Sequence, residues 1–90
     1  MQTIALKKLD DATYEVAVNG SNPTTHTVTV AATYAEKLTT GRISAEELVR
    51  RSFDFLLERE PNTSILRRFD LSVIARYFPE YERTIGQDIQ

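Results

Sequence analysis

The sequence predicts an α+β fold in which a three-stranded antiparallel meander is followed by three or four helices packed on one face. The first thirty residues alternate apolar and polar side chains with a period of two, and turn residues separate the alternating stretches. The later residues place apolar side chains at helical spacing after helix N-cap signatures. Strands grouped before helices are typical of α+β proteins.

Length and composition narrow the class of protein. Ninety residues predict one domain, 1–90, with strands over about 3–30, helices over about 33–79 and a frayed tail over 80–90. A net charge of -2 supplies no general attraction to nucleic acid or to anionic membranes. The chain has no cysteine, which excludes disulfides and thiolate metal sites. It has no apolar run of about 18 residues, so we expect a soluble, cytoplasmic protein without signal peptide or membrane span.

The strand pattern recurs in three stretches, which are Thr3–Leu9, Thr13–Val18 and Thr25–Val30. In the third stretch His26, Val28 and Val30 face one way and threonines face the other. Asn19-Gly20 is a hairpin signal, but more polar residues and a proline follow, so we predict a longer loop. The outer strands of so small a sheet leave open edges, and we therefore expect that edge pairing could make a dimer.

Two capping signatures mark the first two helices. Thr33 and Glu36 predict a capping box that opens a short helix through about Leu38. Ser44 and Glu47 predict a second capping box at the start of the central helical stretch, 43–60. The apolar arc of that stretch spans roughly 200°, wider than the ~100° stripe of a surface helix, so we expect it to be covered on two sides. A proline at 61 ends it.

The next stretch, 63–78, fits either one bent helix or two short ones. Ile65, Leu66 and Phe69 follow at helical spacing and predict a third helix. We place a break near Asp70, because a continuous helix would put its carboxylate on the apolar face. Pro79 ends this element, and the apolar periodicity is lost beyond it, which predicts the frayed tail.

A thirty-residue run, Ser52–Tyr81, reads SFDFLLEREPNTSILRRFDLSVIARYFPEY. It resembles a group of short bacterial proteins that are uncharacterised. The resemblance implies a bacterial, cytoplasmic origin, and it implies no activity, cofactor or functional residue.

Residues that could support catalysis or metal binding have simpler explanations. His26 is the only histidine, so no histidine pair can bind a metal ion, and we expect it to lie on the surface of its strand. Ser44, Ser64 and Ser72 stand where helix caps are needed, and no G-x-S-x-G elbow surrounds any serine. We therefore expect no enzymatic activity, no cofactor and no metal.

Two arginine doublets, Arg50-Arg51 and Arg67-Arg68, lie on successive predicted helices and raise the alternative of a helix-turn-helix. The segment that contains both doublets, 42–83, has eight arginines and eight acidic residues, so its net charge is zero. We expect direct nucleic-acid binding to be the minor alternative, in a regulatory or antitoxin-like protein. If a basic patch exists, its best candidates are Arg67, Arg68 and Arg76, because only one acidic residue lies among them.

Aromatic side chains cluster around Pro79 at the end of the last predicted helix. They fit either a cap over the central helix or an exposed surface that binds a protein. We expect a non-enzymatic binding module that contacts another protein or its own copy as a homodimer. The predicted interface residues are Phe55, Arg67, Arg68, Arg76, Tyr77, Phe78 and Tyr81.

Overall fold

A computed structural model describes residues 3–89. Its sheet has four strands in the order β1-β2-β3-β4, which are β1 (Thr3–Asp10), β2 (Thr13–Asn19), β3 (Thr24–Thr29) and β4 (Arg68–Asp70). The first three strands form the predicted antiparallel meander, whereas β4 pairs with β3 in parallel. The sheet is therefore mixed, and β1 and β4 form its edges.

The strand register divides the sheet into a covered face and an open face. Leu6 pairs with Val16 and Val16 pairs with His26, so this row of side chains lies on the covered face. The next row lies on the open face and consists of Lys7, Glu15, Thr27 and Arg68. The predicted α+β class is confirmed, and the buried side chains of β2 and β3 belong to the covered face. The prediction of a three-stranded antiparallel sheet is wrong, because β4 adds a fourth strand that is parallel to β3.

The helices are α1 (Ala32–Thr39), α2 (Ala45–Leu57), α3 (Ile74–Tyr77) and α4 (Tyr81–Ile89), and 3-10 turns form at Asn62–Ser64 and Leu71–Val73. Ser44 Oγ accepts the amide of Glu47 at 3.1 Å, which confirms the predicted N-cap of α2. The Glu47 side chain contacts Arg51 at 3.0 Å. The predicted box at Thr33 is wrong, because α1 begins earlier, after Ala31, and has no side-chain cap.

Helix α2 lies across the covered face and forms the centre of the core. Its Phe53 ring contacts the His26 ring of β3 and the Phe69 ring of β4, at centroid distances of 5.4 and 6.1 Å. Burial on two sides of α2 agrees with its wide apolar arc. The buried core residues of α2 are Leu48, Val49, Phe53, Phe55 and Leu56.

The predicted third helix around Ile65–Phe69 is wrong. A 3-10 turn, Asn62–Ser64, is followed by the strand β4. The amide of Thr27 donates to the carbonyl of Arg67 at 2.7 Å, so the backbone after Leu66 is bonded to the sheet. The predicted break at Asp70 is confirmed, because its carboxylate caps the 3-10 turn that begins at Leu71.

The predicted frayed tail is also wrong as far as the structure describes it, and residue 90 lies outside the described residues. Tyr81 and Ile85 of α4 are buried, and Ile89 packs against the same core. These three residues recur every four positions, which is helical spacing. Tyr34 of α1 donates to the Glu82 carboxylate at 2.7 Å, and the C-terminal helix is thereby held against α1.

Candidate functional site

An apolar groove lies between the end of α2, the loop before β4 and α3. Leu66 and Tyr77 both line it, with 48% and 67% of their surface exposed. Among residues 3–89 they are two of the three large hydrophobic side chains that are exposed, and Leu9 at 46% is the third. The groove has a volume of about 330 Å³ and is lined by Leu56, Glu60, Ser64, Ile65, Leu66, Phe69, Val73, Ile74, Tyr77 and Phe78.

The loop that carries Leu66 is held by the buried His26 of β3. The carbonyl of Leu66 can only accept, so the proton of this 2.7 Å hydrogen bond belongs to His26 Nδ1. The side-chain amide nitrogen Nδ2 of Asn62 donates to Thr24 Oγ1 at 2.8 Å. His26 Nε2 lies 2.8 Å from the same hydroxyl oxygen. The Thr24 hydroxyl can then donate to Nε2, which corresponds to a neutral imidazole.

The expectation that His26 lies on the surface is therefore wrong. Its side chain is fully buried on the covered face, in line with Val28. Burial lowers the pKa of His26, and the nearby positive charge of Arg67 lowers it further, against an opposing hydrogen bond to Leu66. The neutral ring joins the sheet to the loop of the groove.

Three arginines follow or precede the groove residues in the chain. Arg67 directly follows Leu66, and Arg76 directly precedes Tyr77, and both are exposed. Arg68 is exposed on β4 and pairs in register with Thr27 of the open face. Within residues 3–89 none of the three forms an ion pair, so their charges are available to a ligand.

The other predicted arginine doublet is engaged within the fold. Arg51 contacts the carboxylates of Glu47 and Asp88, and Arg50 donates to the carbonyl of Ile4 at 3.4 Å. The segment after α2 is a 3-10 turn and a strand, so the helix-turn-helix that these doublets suggested does not form there.

Two of the predicted interface aromatics belong to the core. Phe55 is buried, and its ring lies 5.3 Å from the Tyr81 ring and 5.8 Å from the Phe78 ring. Tyr81 is fully buried, and its hydroxyl lies 2.6 Å from Ser52 Oγ. Phe55 and Tyr81 therefore hold α2 and α4 together, and the prediction that they form a binding surface is wrong.

The remaining aromatics do reach the groove. Phe78 is partly buried, packs against Phe55 and lines the groove, while Tyr77 is exposed at the margin of the groove. Only Tyr77 and Phe78 of the ten lining residues were predicted as interface residues, and the other eight were missed, among them Leu66 and the acidic Glu60. Leu66 was missed because its spacing placed it on the apolar face of a predicted helix. The chain forms the strand β4 after Leu66 instead, and the Leu66 side chain stays outside the core.

Other parts of residues 3–89 offer less to a ligand. The described residues contain no cluster of three or more histidine and acidic side chains that could hold a metal ion. In the same part of the chain, no helix combines the length and the apolar character needed to cross a bilayer. A second concavity between β1 and α2 is lined mainly by charged side chains of both signs, which are Arg50, Asp54 and Glu58 beside Ile4 and Leu57.

Comparison with known protein families, with characterised proteins and with solved structures gives no match. The class that the fold and the site define is a small α+β protein with an exposed apolar groove beside a sheet edge.

Proposed function

We propose that this chain is a non-enzymatic binding module whose groove takes up an apolar segment of another protein. One observation carries the proposal: Leu66 and Tyr77, both exposed, face the same apolar groove. An exposed apolar patch of this kind commonly marks a site of protein interaction. Complete transfer of a leucine side chain out of water contributes about 1.5–3 kcal/mol, and a partner that covers Leu66 and Tyr77 gains the share that the fold leaves exposed.

The arginines next to the groove residues in the chain support a protein ligand whose carboxylates lie outside the groove, because Glu60, which lines the groove, would repel them. Arg67 and Arg76 adjoin Leu66 and Tyr77 in the chain and form no ion pair within residues 3–89. Tyrosine and arginine are the residues most often found as energetic anchors of protein interfaces. An apolar centre with a charged rim is the usual arrangement of such an interface.

The proposal is tested by substitution of the two exposed groove residues. Leu66→Ser and Tyr77→Ser remove apolar surface that the fold does not bury, so both variants should stay folded by circular dichroism. Proteins captured by the tagged wild type from a nuclease-treated lysate of the source cells are identified, purified and titrated against each variant by calorimetry. We expect each substitution to weaken the dissociation constant by about tenfold or more, as for an interface anchor.

Leu9→Ser is the matched control, since Leu9 is equally exposed but lies on β1, away from the groove. It should leave binding unchanged. Equal losses in all three variants, or no loss in any, would show that the groove is not the binding site. Recovery that needs intact nucleic acid and is lost in Arg67→Ala and Arg68→Ala would instead favour the regulatory nucleic-acid-binding alternative.

A further inference from the structure

Within residues 3–89, the edge formed by β4 has backbone groups without a strand partner. Thr27 pairs with Arg68, and the amide of Thr27 donates to the carbonyl of Arg67. In a parallel ladder this pattern directs the carbonyl of Arg67 and the amide of Phe69 toward β3, and the amide and carbonyl of Arg68 away from it. Because β4 is the last strand of the sheet, the groups of Arg68 point outward.

The groove lies on the covered side of the same edge. Phe69, whose side chain is buried on the covered face, lines the groove together with Leu66 and Tyr77. Arg68 is the neighbour of Phe69 on the strand and therefore projects from the open face. A strand added beside β4 would alternate in the same way, with one set of side chains toward the groove and the other set beside Arg68.

We propose that the partner supplies an extended segment that adds to the free edge of β4 as a fifth strand. Its alternate side chains are apolar and enter the groove between Leu66 and Tyr77. At least one side chain of the intervening set is a carboxylate that pairs with Arg68. This inference rests on the proposed function and names the conformation and the chemistry of the ligand.

Three arguments favour this occupant and this edge over others. A helix satisfies its own backbone groups and would leave the edge of β4 unpaired. A second copy bound through the same edge would bring Arg67, Arg68 and Arg76 close to the same arginines of its partner, and like charges repel. The opposite edge, β1, lies beside the charged concavity at Arg50 and Asp54, which would not accept apolar side chains.

A synthetic peptide tests the inference directly. The probe is a capped nine-residue peptide in which leucine alternates with aspartate, labelled with fluorescein and titrated with the whole chain by anisotropy. A second peptide of the same sequence carries N-methyl groups on the amides of one strand edge, and a third is scrambled. We expect N-methylation and scrambling each to weaken binding by about tenfold or more, because strand addition requires backbone hydrogen bonds and alternation.

Nuclear magnetic resonance locates the peptide on the protein. We expect the amide signal of Arg68 to shift on binding, while amides of β1 stay in place. Arg68→Glu should weaken binding by about tenfold, whereas Arg83→Glu, at an exposed arginine of α4, should change it about twofold or less through long-range charge alone. Circular dichroism checks that both variants keep the wild-type fold.

The outcomes separate the two proposals. Equal binding of the N-methylated peptide, or shifts confined to the β1 edge, would overturn strand addition and leave the groove as the proposed site. A dimer in sedimentation equilibrium that dissociates in Tyr77→Ser would make a second copy the occupant and would also overturn the inference. The proposed function fails in a different way. The captured partner would then bind Leu66→Ser and Tyr77→Ser with the same dissociation constant as the wild type.

Discussion

At the scale of single residues, His26 shows how one buried polar side chain shapes the groove. Its two ring nitrogens reach Thr24 on its own strand and the carbonyl of Leu66 forty positions away. A buried polar group is tolerated when its hydrogen bonds are made, and both are made here. The ring also contacts Phe53 of α2, so His26 joins the sheet, the central helix and the loop before β4.

We predict that the free energy of unfolding falls as the pH is lowered from 7.5 to 5.5. Burial lowers the pKa of His26 in the folded chain below its ordinary value of 6.5. The unfolded chain therefore binds a proton at a higher pH than the folded chain does. The stability is complete above about pH 6.5 and is lost progressively as the pH falls toward the lower, folded-state pKa. Urea denaturation at several pH values measures this.

His26→Gln provides the control, because glutamine keeps an amide donor and does not titrate. His26 is the only histidine, and the lowered carboxyl pKa values of Asp10 and Asp70 act below their ordinary value of 3.8. Burial raises the pKa of Asp54, so protonation of that carboxyl stabilises the folded chain as the pH falls. The variant should therefore lose the fall in stability between pH 7.5 and 5.5. The same slope in both proteins would contradict the assignment of the pH dependence to His26.

Among the secondary-structure elements, sequence patterns predicted correctly those whose hydrogen bonds join near neighbours in the chain. The N-cap of α2 depends only on Ser44 and a residue three positions later, and the pattern was sufficient to place it. The strand β4 depends on β3, whose Thr27 lies forty positions before Arg67. Helical spacing of Ile65 and Phe69 could not reveal that pairing, because both residues are also buried when the segment is extended.

We predict that Ser44→Ala lowers the free energy of unfolding by about 1 kcal/mol, since the amide of Glu47 loses its acceptor at the start of α2. Thr33→Ala is the matched comparison, because Thr33 resembles a cap in the sequence but makes no cap in the structure. It should change stability by about 0.5 kcal/mol or less. Thermal and urea denaturation measure both; a larger loss from Thr33→Ala would argue for a cap at that residue.

At the scale of the whole molecule, α4 completes the core that the sheet and α2 begin. Tyr81 lies between α4 and α2, with its hydroxyl bonded to Ser52 and its ring against Phe55. Ile85 is buried one turn later. Ion pairs of Glu82 with Lys37 and of Asp88 with Arg51 lie around this contact. The residues predicted to fray are thus part of the hydrophobic core.

We predict that Ile85→Ala lowers the free energy of unfolding by about 2–4 kcal/mol, because it leaves a cavity in this core. Gln87→Ala, at an exposed position of the same helix, should change it by about 0.5 kcal/mol or less. Urea denaturation compares the two variants, and hydrogen exchange should show protection of the α4 amides in the wild type. Similar small effects from both substitutions would indicate that the C-terminal residues are frayed, as the sequence predicted.

Local patterns in the sequence were sufficient to predict the α+β class, the three-stranded meander, the cap of α2 and the break at Asp70. Each of these depends on alternation, helical spacing or a hydrogen bond between near neighbours in the chain. Local patterns did not reveal that 68–70 is a strand, that Phe55 and Tyr81 belong to the core, or that Leu66 and Tyr77 stay exposed at one groove. These outcomes depend on contacts between distant segments, and local patterns carry no information about which distant segment supplies the hydrogen bond or covers the side chain.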